Sequence, residues 1–181
     1  MNISLTPLSE DDLELVRNWR NSPEVSDYMY SDARISAEQQ LNWFNGVKQS
    51  TTAKYWIIVY DGKKIGLVSV TDINTTLKSC FWAFYLGDTS VRGAGIGGKV
   101  EYTILKYVFE ELKLNKLRCE VIVFNDNVIK MHEKFGFRRE AYYREHCFKN
   151  GKFQDVVGLA MLKSEWDILK ETIYERVYKK N

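Results

Sequence analysis

Arg92-Gly93-Ala94-Gly95-Ile96-Gly97-Gly98 is the stretch on which the reading of this chain turns. It lies between an aromatic, strand-like segment ending near Leu86 and a long amphipathic helix beginning near Lys99. Glycine tolerates positive φ and lets backbone come close to a ligand, and the exposed N–H groups at a helix start attract an anion. Together these properties describe a socket for a pyrophosphate. A loop that needs glycine only for its turns is the plainer alternative. Several phosphate-binding loops use the same strand-glycine-helix physics, so spacing has to separate them. Gly98-Lys99 is followed by Val100, which denies the loop the magnesium-binding hydroxyl of a P-loop. The pattern left is Arg92-x-x-Gly95-x-Gly97.

Composition narrows the classes. A chain of 181 residues, 45% hydrophobic and 14% aromatic, can bury a substantial core as one domain, 1–181. Lys plus Arg number 26 against 24 Asp plus Glu, and a net charge of +2 is too balanced for a protein that coats nucleic acid. The longest apolar run, Tyr55 to Tyr60, is far shorter than the ~20 residues of a membrane span. Met1-Asn2-Ile3-Ser4-Leu5-Thr6 lacks the basic and then apolar order of a signal peptide. Cys80, Cys119 and Cys147 are isolated and without metal-ligand spacing. They read as reduced thiols, small and buried, in a cytoplasmic protein that uses no metal.

Periodicity outlines the elements. Asn2 to Leu8 alternates like a strand, and Ser9 caps a helix to about Asn21 with Leu13, Val16 and Trp19 on one face and Pro23 marking its end. Ser36 and Gln39 have capping-box spacing ahead of a stripe of Leu41, Phe44 and Val47. Ala53 to Tyr60, Lys63 to Ile73 and Lys78 to Leu86 form an antiparallel meander, the first two strands joined at Asp61-Gly62. A helix from about Gly97 to Leu112, a strand from Lys116 to Phe124 and a short helix from Asn125 follow. A strand then leads to the Asn150-Gly151 turn, a return strand runs from Lys152 to Leu162, and a last helix carries Trp166, Leu169 and Ile173. The apolar C-terminal hairpin offers a surface on which two subunits could pair as a homodimer.

The loop pattern resembles the acyl-CoA pyrophosphate loop of the GNAT superfamily of N-acetyltransferases. About thirty residues on, Asn125-Asp126-Asn127-Val128-Ile129-Lys130-Met131-His132-Glu133-Lys134-Phe135-Gly136-Phe137 resembles that superfamily's second motif. The resemblance covers nearly the whole chain. It implies an α/β fold around a mixed, largely antiparallel sheet whose fourth and fifth strands splay apart. Acetyl-CoA would lie in that cleft, with its pyrophosphate on Arg92, Gly93, Ala94, Gly95, Ile96 and Gly97. Its pantetheine arm would run along unpaired backbone of Tyr85, Leu86 and Gly87 on one side and Val123, Phe124 and Asn125 on the other. Separated amides would then serve the acetyl carbonyl as oxyanion donors.

Direct transfer to an amine needs a base for the amine and an acid for the CoA thiolate. Many members carry a tyrosine acid in the second motif; this chain has His132 there, as do phosphinothricin-type members with a similar Met-His-Glu pattern. Imidazole titrates near neutrality and suits either role. Val128, Met131, His132 and Phe135 also share one helical face, so a core histidine is the competing reading. Glu120, set between Cys119 and Val121 on a buried strand, is the candidate base; the alternative is a structural partner for Arg118.

The acceptor has to come from less generic residues. Trp19-Arg20-Asn21-Ser22-Pro23-Glu24-Val25, Met29-Tyr30, Ile35-Ser36, Trp43-Phe44 and Gly66-Leu67-Val68-Ser69-Val70-Thr71 resemble the subgroup that acetylates the 4-amino group of a UDP-linked aminodideoxy sugar in pseudaminic acid biosynthesis, used to decorate flagellin. Arg20, Asn21, Met29, Tyr30, Ser69 and Thr71 would then touch the acceptor, by stacking on uracil, gripping a diphosphate or bonding the sugar. Plain packing on the sheet is the alternative for each. Protein N-termini and polyamines stay open as acceptors because ribosomal-protein and spermidine acetyltransferases share the length and the closing segment Arg144 to Gly151. A non-catalytic acyl-CoA-binding module that has lost its chemistry is the reading from another class.

Overall fold

A computed structural model of the chain describes residues 3–91, 93 and 95–179. Arg92 and Ala94, two of the expected loop residues, lie outside that set. In chain order the elements are β1 (Ile3–Pro7), α1 (Leu13–Asn21), α2 (Pro23–Ser26), α3 (Ala37–Gln49), β2 (Lys54–Tyr60), β3 (Lys63–Asn74), β4 (Ser79–Leu86), α4 (Ile96–Lys106), β5 (Lys116–Ile122), α5 (Asp126–Phe135), β6 (Arg138–Lys149), β7 (Lys152–Leu162) and α6 (Lys163–Tyr178).

Local chemistry sets most of these boundaries. Ser36 Oγ accepts from the Gln39 amide at 3.1 Å and Gln39 Oε1 accepts from the Ser36 amide at 2.8 Å, the reciprocal cap expected at α3. Asp61 and Gly62 both take positive φ, 45° and 82°, as the tight β2–β3 hairpin demands. The first helix differs from expectation. Both Ser9 groups, N–H and Oγ, donate to Asp12 Oδ2, and Glu10–Asp12 winds as a 3-10 turn before α1 begins at Leu13. Pro23 does not simply stop the chain; it occupies the first turn of α2, where its missing N–H costs nothing. The helix after the glycine run ends its regular part at Lys106, and Tyr107–Glu111 continues as a π-turn closed by the Leu112 amide on the Tyr107 carbonyl at 2.9 Å.

The strands form one seven-stranded sheet in the order β1-β2-β3-β4-β5-β7-β6, antiparallel throughout except between β4 and β5. Gly93, Gly95 and Gly98 satisfy the Gly-x-Gly-x-x-Gly spacing of a dinucleotide loop, and it is this sheet, with its single parallel pair, that excludes a dinucleotide-binding fold. One face packs on α4, α5 and α6 through Val68, Trp82, Leu117, Val100, Ile104, Ile129 and Trp166. The other face carries α1 and α2, with Val16, Trp19 and Val25 closing on Ile57 and Leu67. Alternation along the strands assigns each side chain to a face. Trp82, Cys119 and Val121 belong to the α4 side; Ser69, Tyr85 and Glu120 therefore point to the α1 side.

The two parallel strands make a fork. Pairing between β4 and β5 covers only Ser79 with Lys116, Cys80 with Leu117 and Phe81 with Arg118. Beyond that rung β4 is bonded on its far edge to β3 as far as Leu86, and β5 on its far edge to β7 as far as Ile122. The edges that face each other from Trp82 and Cys119 onward share no ladder.

Candidate active site

The fork, the glycine run and α1 meet at one end of β4. Gly93 and Gly95 hold φ of 86° and 71°, and Gly95 is the left-handed residue directly ahead of α4. A side chain at either position would meet nothing within 4 Å, so conformation, not crowding, demands glycine there. Gly97 and Gly98 differ from these two: a Cβ would sit 3.3 Å from Met131 Sδ at Gly97 and 3.1 Å from the Phe135 ring at Gly98, so both let α4 close on α5. The amides of the first turn of α4, Ile96 among them, have no helical carbonyl to bond and face the loop side.

Besides the β3–β4 ladder that pairs Tyr85 with Leu67 and Leu86 with Gly66, three of the six backbone positions assigned to the cleft walls have further partners. Gly87 N–H bonds Ile65 O at 2.9 Å, Val123 N–H bonds Asp155 O at 3.0 Å, and Asn125 N–H bonds Ile122 O at 2.9 Å while Asn125 caps α5. Gly87 is glycine for a different reason, because a Cβ would fall 2.1 Å from the Trp19 indole. Tyr85 and Leu86 lie on the β4 lip of the fork.

His132 and Glu120 sit on opposite sides of the sheet. His132, on α5, is buried beneath the fork. Its Nδ1 lies 2.8 Å from Glu101 Oε1 of α4, and Trp82 meets the ring edge-to-face and Phe137 at a tilt, each at a centroid distance of 5.4 Å. Burial opposes the imidazolium, but the Cys119 and Glu101 groups beside it prevail and lift the His132 pKa to about 10. Burial pushes the Glu101 carboxyl up, against the pull of His132. Glu101 is completely buried, and its Oε2 has no hydrogen-bond partner among the described residues.

On the α1 face Glu120 accepts a 2.7 Å hydrogen bond from Tyr30 Oη, which arrives from the segment between α2 and α3. Tyr30 stands edge-on to His146 at 5.8 Å, and Tyr143 tilts against His146 at 4.9 Å. Burial, and then the Glu120 carboxylate, raise the Tyr30 phenol well above its ordinary pKa. Tyr28 and Phe124 extend the aromatic wall with ring centres 5.9 Å apart. Arg20, near the end of α1, lies beside Tyr85; burial lowers its pKa, and its Nη1 is buried without a hydrogen-bond partner among the described residues. Burial likewise raises the Tyr85 phenol.

The remaining acceptor-side residues divide. Asn21 uses both ends of its amide on one backbone unit, accepting from Ile35 N–H at 2.8 Å and donating to Ile35 O at 2.9 Å, which makes it a brace for the loop. Met29 packs into the cluster of Val16, Trp19 and Leu67. Ser69 and Thr71 share the α1 face of β3, with Ser69 Oγ 3.4 Å from Ala83 O. Sequence reasoning missed the far wall. Lys149, only 3% exposed, donates to Asp32 Oδ1 at 2.6 Å and to Ser26 O at 2.8 Å, and Asn150 N–H bonds Asp32 Oδ2 at 2.7 Å. These bonds pin the tip of the β6–β7 hairpin to the segment that carries Tyr30. Among the described residues no group of three or more His, Cys, Asp or Glu is placed to hold a metal, and no helix is long and apolar enough to cross a membrane.

Comparison with known proteins agrees with this geometry. The family model of the acetyltransferase (GNAT) domain matches residues 2–138. Acetyltransferase PseH of Campylobacter jejuni is 29% identical over 134 residues, 74% of this chain and 82% of that protein. Spermidine N(1)-acetyltransferase of Vibrio cholerae is 26% identical over 166 residues, 91% of this chain and 95% of that protein. A crystal structure of spermidine N-acetyltransferase from Vibrio cholerae in complex with CoA and spermine superposes with a TM-score of 0.85 at 24% identity, covering 91% of this chain and 97% of that one. Since the family match takes in the socket and both strands of the fork, this chain belongs to the GNAT acetyltransferases, enzymes that draw their acetyl group from acetyl-CoA.

Proposed function

We propose that the chain moves the acetyl group of acetyl-CoA onto the 4-amino group of a UDP-linked aminodideoxy sugar, by direct attack with both substrates bound. The fork carries the donor half of this reading. A pantetheine arm between β4 and β5 would find the amides and carbonyls that the missing ladder leaves unpaired, and its pyrophosphate would fall on Gly93, Gly95 and the first amides of α4, with Arg92 and Ala94 completing the loop. An acetyl carbonyl at the root of the fork would meet a fixed amide donor, the electrostatic help that acyl transfer needs most.

Proton traffic separates onto the two faces. Glu120, with Tyr30 bound to it, takes the proton of the incoming ammonium so that the amine attacks in its neutral form, and the second proton that the nitrogen sheds as the amide forms goes to solvent. The electron pair of the breaking C–S bond leaves with sulfur, and His132 supplies the proton that makes CoA a neutral thiol. Arg20, with an unpartnered buried nitrogen, is suited to a diphosphate, and Tyr28, Tyr143 and Phe124 offer flat surfaces to a uracil. The relative PseH, a named acetyltransferase, supports this substrate subgroup.

The spermidine relative keeps a polyamine in view, but the acidic groups here favour the sugar. A polycation needs carboxylates that are uncommitted. Asp32 is ion-paired with Lys149, and Asp155 is held by Tyr142 Oη at 2.6 Å and the Glu145 amide at 2.7 Å. Thiol-reagent detection of CoA release, with UDP-4-amino sugar, spermidine and a peptide beginning Ser or Ala compared at equal concentration, decides between them. The sugar is expected to give the highest kcat/KM. A higher value for spermidine or the peptide overturns the acceptor, and no release with any amine, from protein that binds acetyl-CoA, makes this a binding module instead.

A further inference from the structure

We infer that Glu101 is the positioning residue of this reaction: its carboxylate grips His132 by Nδ1, so that the opposite nitrogen, Nε2, is presented to the root of the fork where the CoA sulfur departs. This rests on the reading of His132 as the proton source.

Four observations converge on Glu101. Its α4 neighbours Ile96, Val100, Ile104 and Leu105 are all buried and apolar, so packing gives no reason for a carboxyl at that place. A buried carboxylate is expensive unless both oxygens are compensated, and Glu101 Oε2 has no partner among the described residues. A purely structural pair would be expected to satisfy both ends. The bond it does make, 2.8 Å to His132 Nδ1, is the arrangement in which a carboxylate fixes the tautomer and tilt of an imidazole and favours its charged form. Finally, the ring is held between Trp82 and Cys119, the first residue of each strand past the last shared rung.

The proton balance closes without any further group. Nε2–H passes its proton to the leaving thiolate, the imidazole is left neutral, and it recovers a proton from those that the amine has released to solvent. The titratable groups facing the ring are Glu101 from α4, on Nδ1, and Cys119 from β5, whose thiol also hydrogen-bonds the imidazole and must yield to the departing sulfur; β4 contributes Trp82 and the α5–β6 turn Phe137, neither of which titrates here.

The test is the pH dependence of kcat, with acetyl-CoA and the best amine both saturating. Glu101→Gln keeps shape but loses the charge, so His132 should surrender its proton at lower pH. The alkaline limb of kcat should move down by at least one pH unit while KM for acetyl-CoA changes less than about twofold. Glu101→Asp, which keeps the charge on a shorter arm, should retain the wild-type limb with a reduced kcat. An unmoved limb in an active Glu101→Gln enzyme overturns the proposal. If that variant fails to fold, NMR titration of the wild-type histidines decides, with His146→Asn to separate the two signals. His132 should stay protonated through pH 8, and titration near the ordinary histidine value of ~6.5 would sink the idea. Failure of the wild-type protein to transfer acetyl to any amine is a distinct result; it defeats the functional reading and leaves the titration of the pair intact.

Discussion

Gly95 and Gly97 look interchangeable in the sequence and are not. Gly95→Val puts a β-branched residue at φ 71° in open space, so its cost falls on the loop conformation and on the ligand. Calorimetry should show acetyl-CoA affinity down by at least about tenfold with only a small fall in Tm. Gly97→Val instead drives a side chain into Met131, and should cost about 1–3 kcal/mol of stability by overpacking, read in a denaturant titration. At Glu120, the proposed base, Glu120→Gln should reduce kcat by about 10²-fold or more, and Tyr30→Phe by less, since water can replace a phenol donor but not a carboxylate acceptor. Full activity in Glu120→Gln would move the base elsewhere. His132 also carries a stability signature. Its folded pKa, about 10, lies above the ordinary value of 6.5, so its contribution is complete below pH 6.5 and is lost as pH rises toward 10. Wild-type Tm should therefore fall across that window more steeply than that of His132→Phe; parallel curves would contradict the charge assigned to the ring.

Elements were legible wherever their signals were local. The cap at Ser36, the turn at Asp61-Gly62 and the return at Asn150-Gly151 all follow from a few adjacent residues, and each is found where those residues stand. The interactions that build the site are not local. Tyr30 meets Glu120 across 90 positions and Lys149 meets Asp32 across 117, distances over which periodicity carries no information. Glu101 did leave a trace, a charge on the apolar stripe of its helix, but only the packing of α4 on α5 gives it a partner. At this scale the pin between the β6–β7 hairpin and the Tyr30 segment is testable. Lys149→Met keeps the buried stem and deletes the bonds to Asp32 and Ser26. KM for the acceptor amine should rise several-fold while KM for acetyl-CoA holds; an unchanged acceptor KM would mean that the hairpin does not shape the acceptor basin.

Across the whole molecule, one interrupted ladder organises everything else. A sheet that is antiparallel except at β4 and β5 is expected to part there once the parallel pairing stops at Phe81 and Arg118, and the helices pack an apolar cluster against each face. The glycine pattern alone left a dinucleotide loop open, because Gly93, Gly95 and Gly98 have that spacing too; strand direction, a property of the assembled sheet, closes the question. The sequence points to an acceptor only by resemblance, and Asn21 and Met29, two of the residues expected to touch it, are committed to Ile35 and to the core. The most direct measurement is a crystal structure of the chain with acetyl-CoA. The account predicts pyrophosphate on the amides around Gly93 to Gly97, pantetheine between Trp82–Leu86 and Cys119–Ile122, and the sulfur at the root of the fork above His132. Acetyl-CoA bound outside that gap, or its sulfur remote from His132, would contradict it.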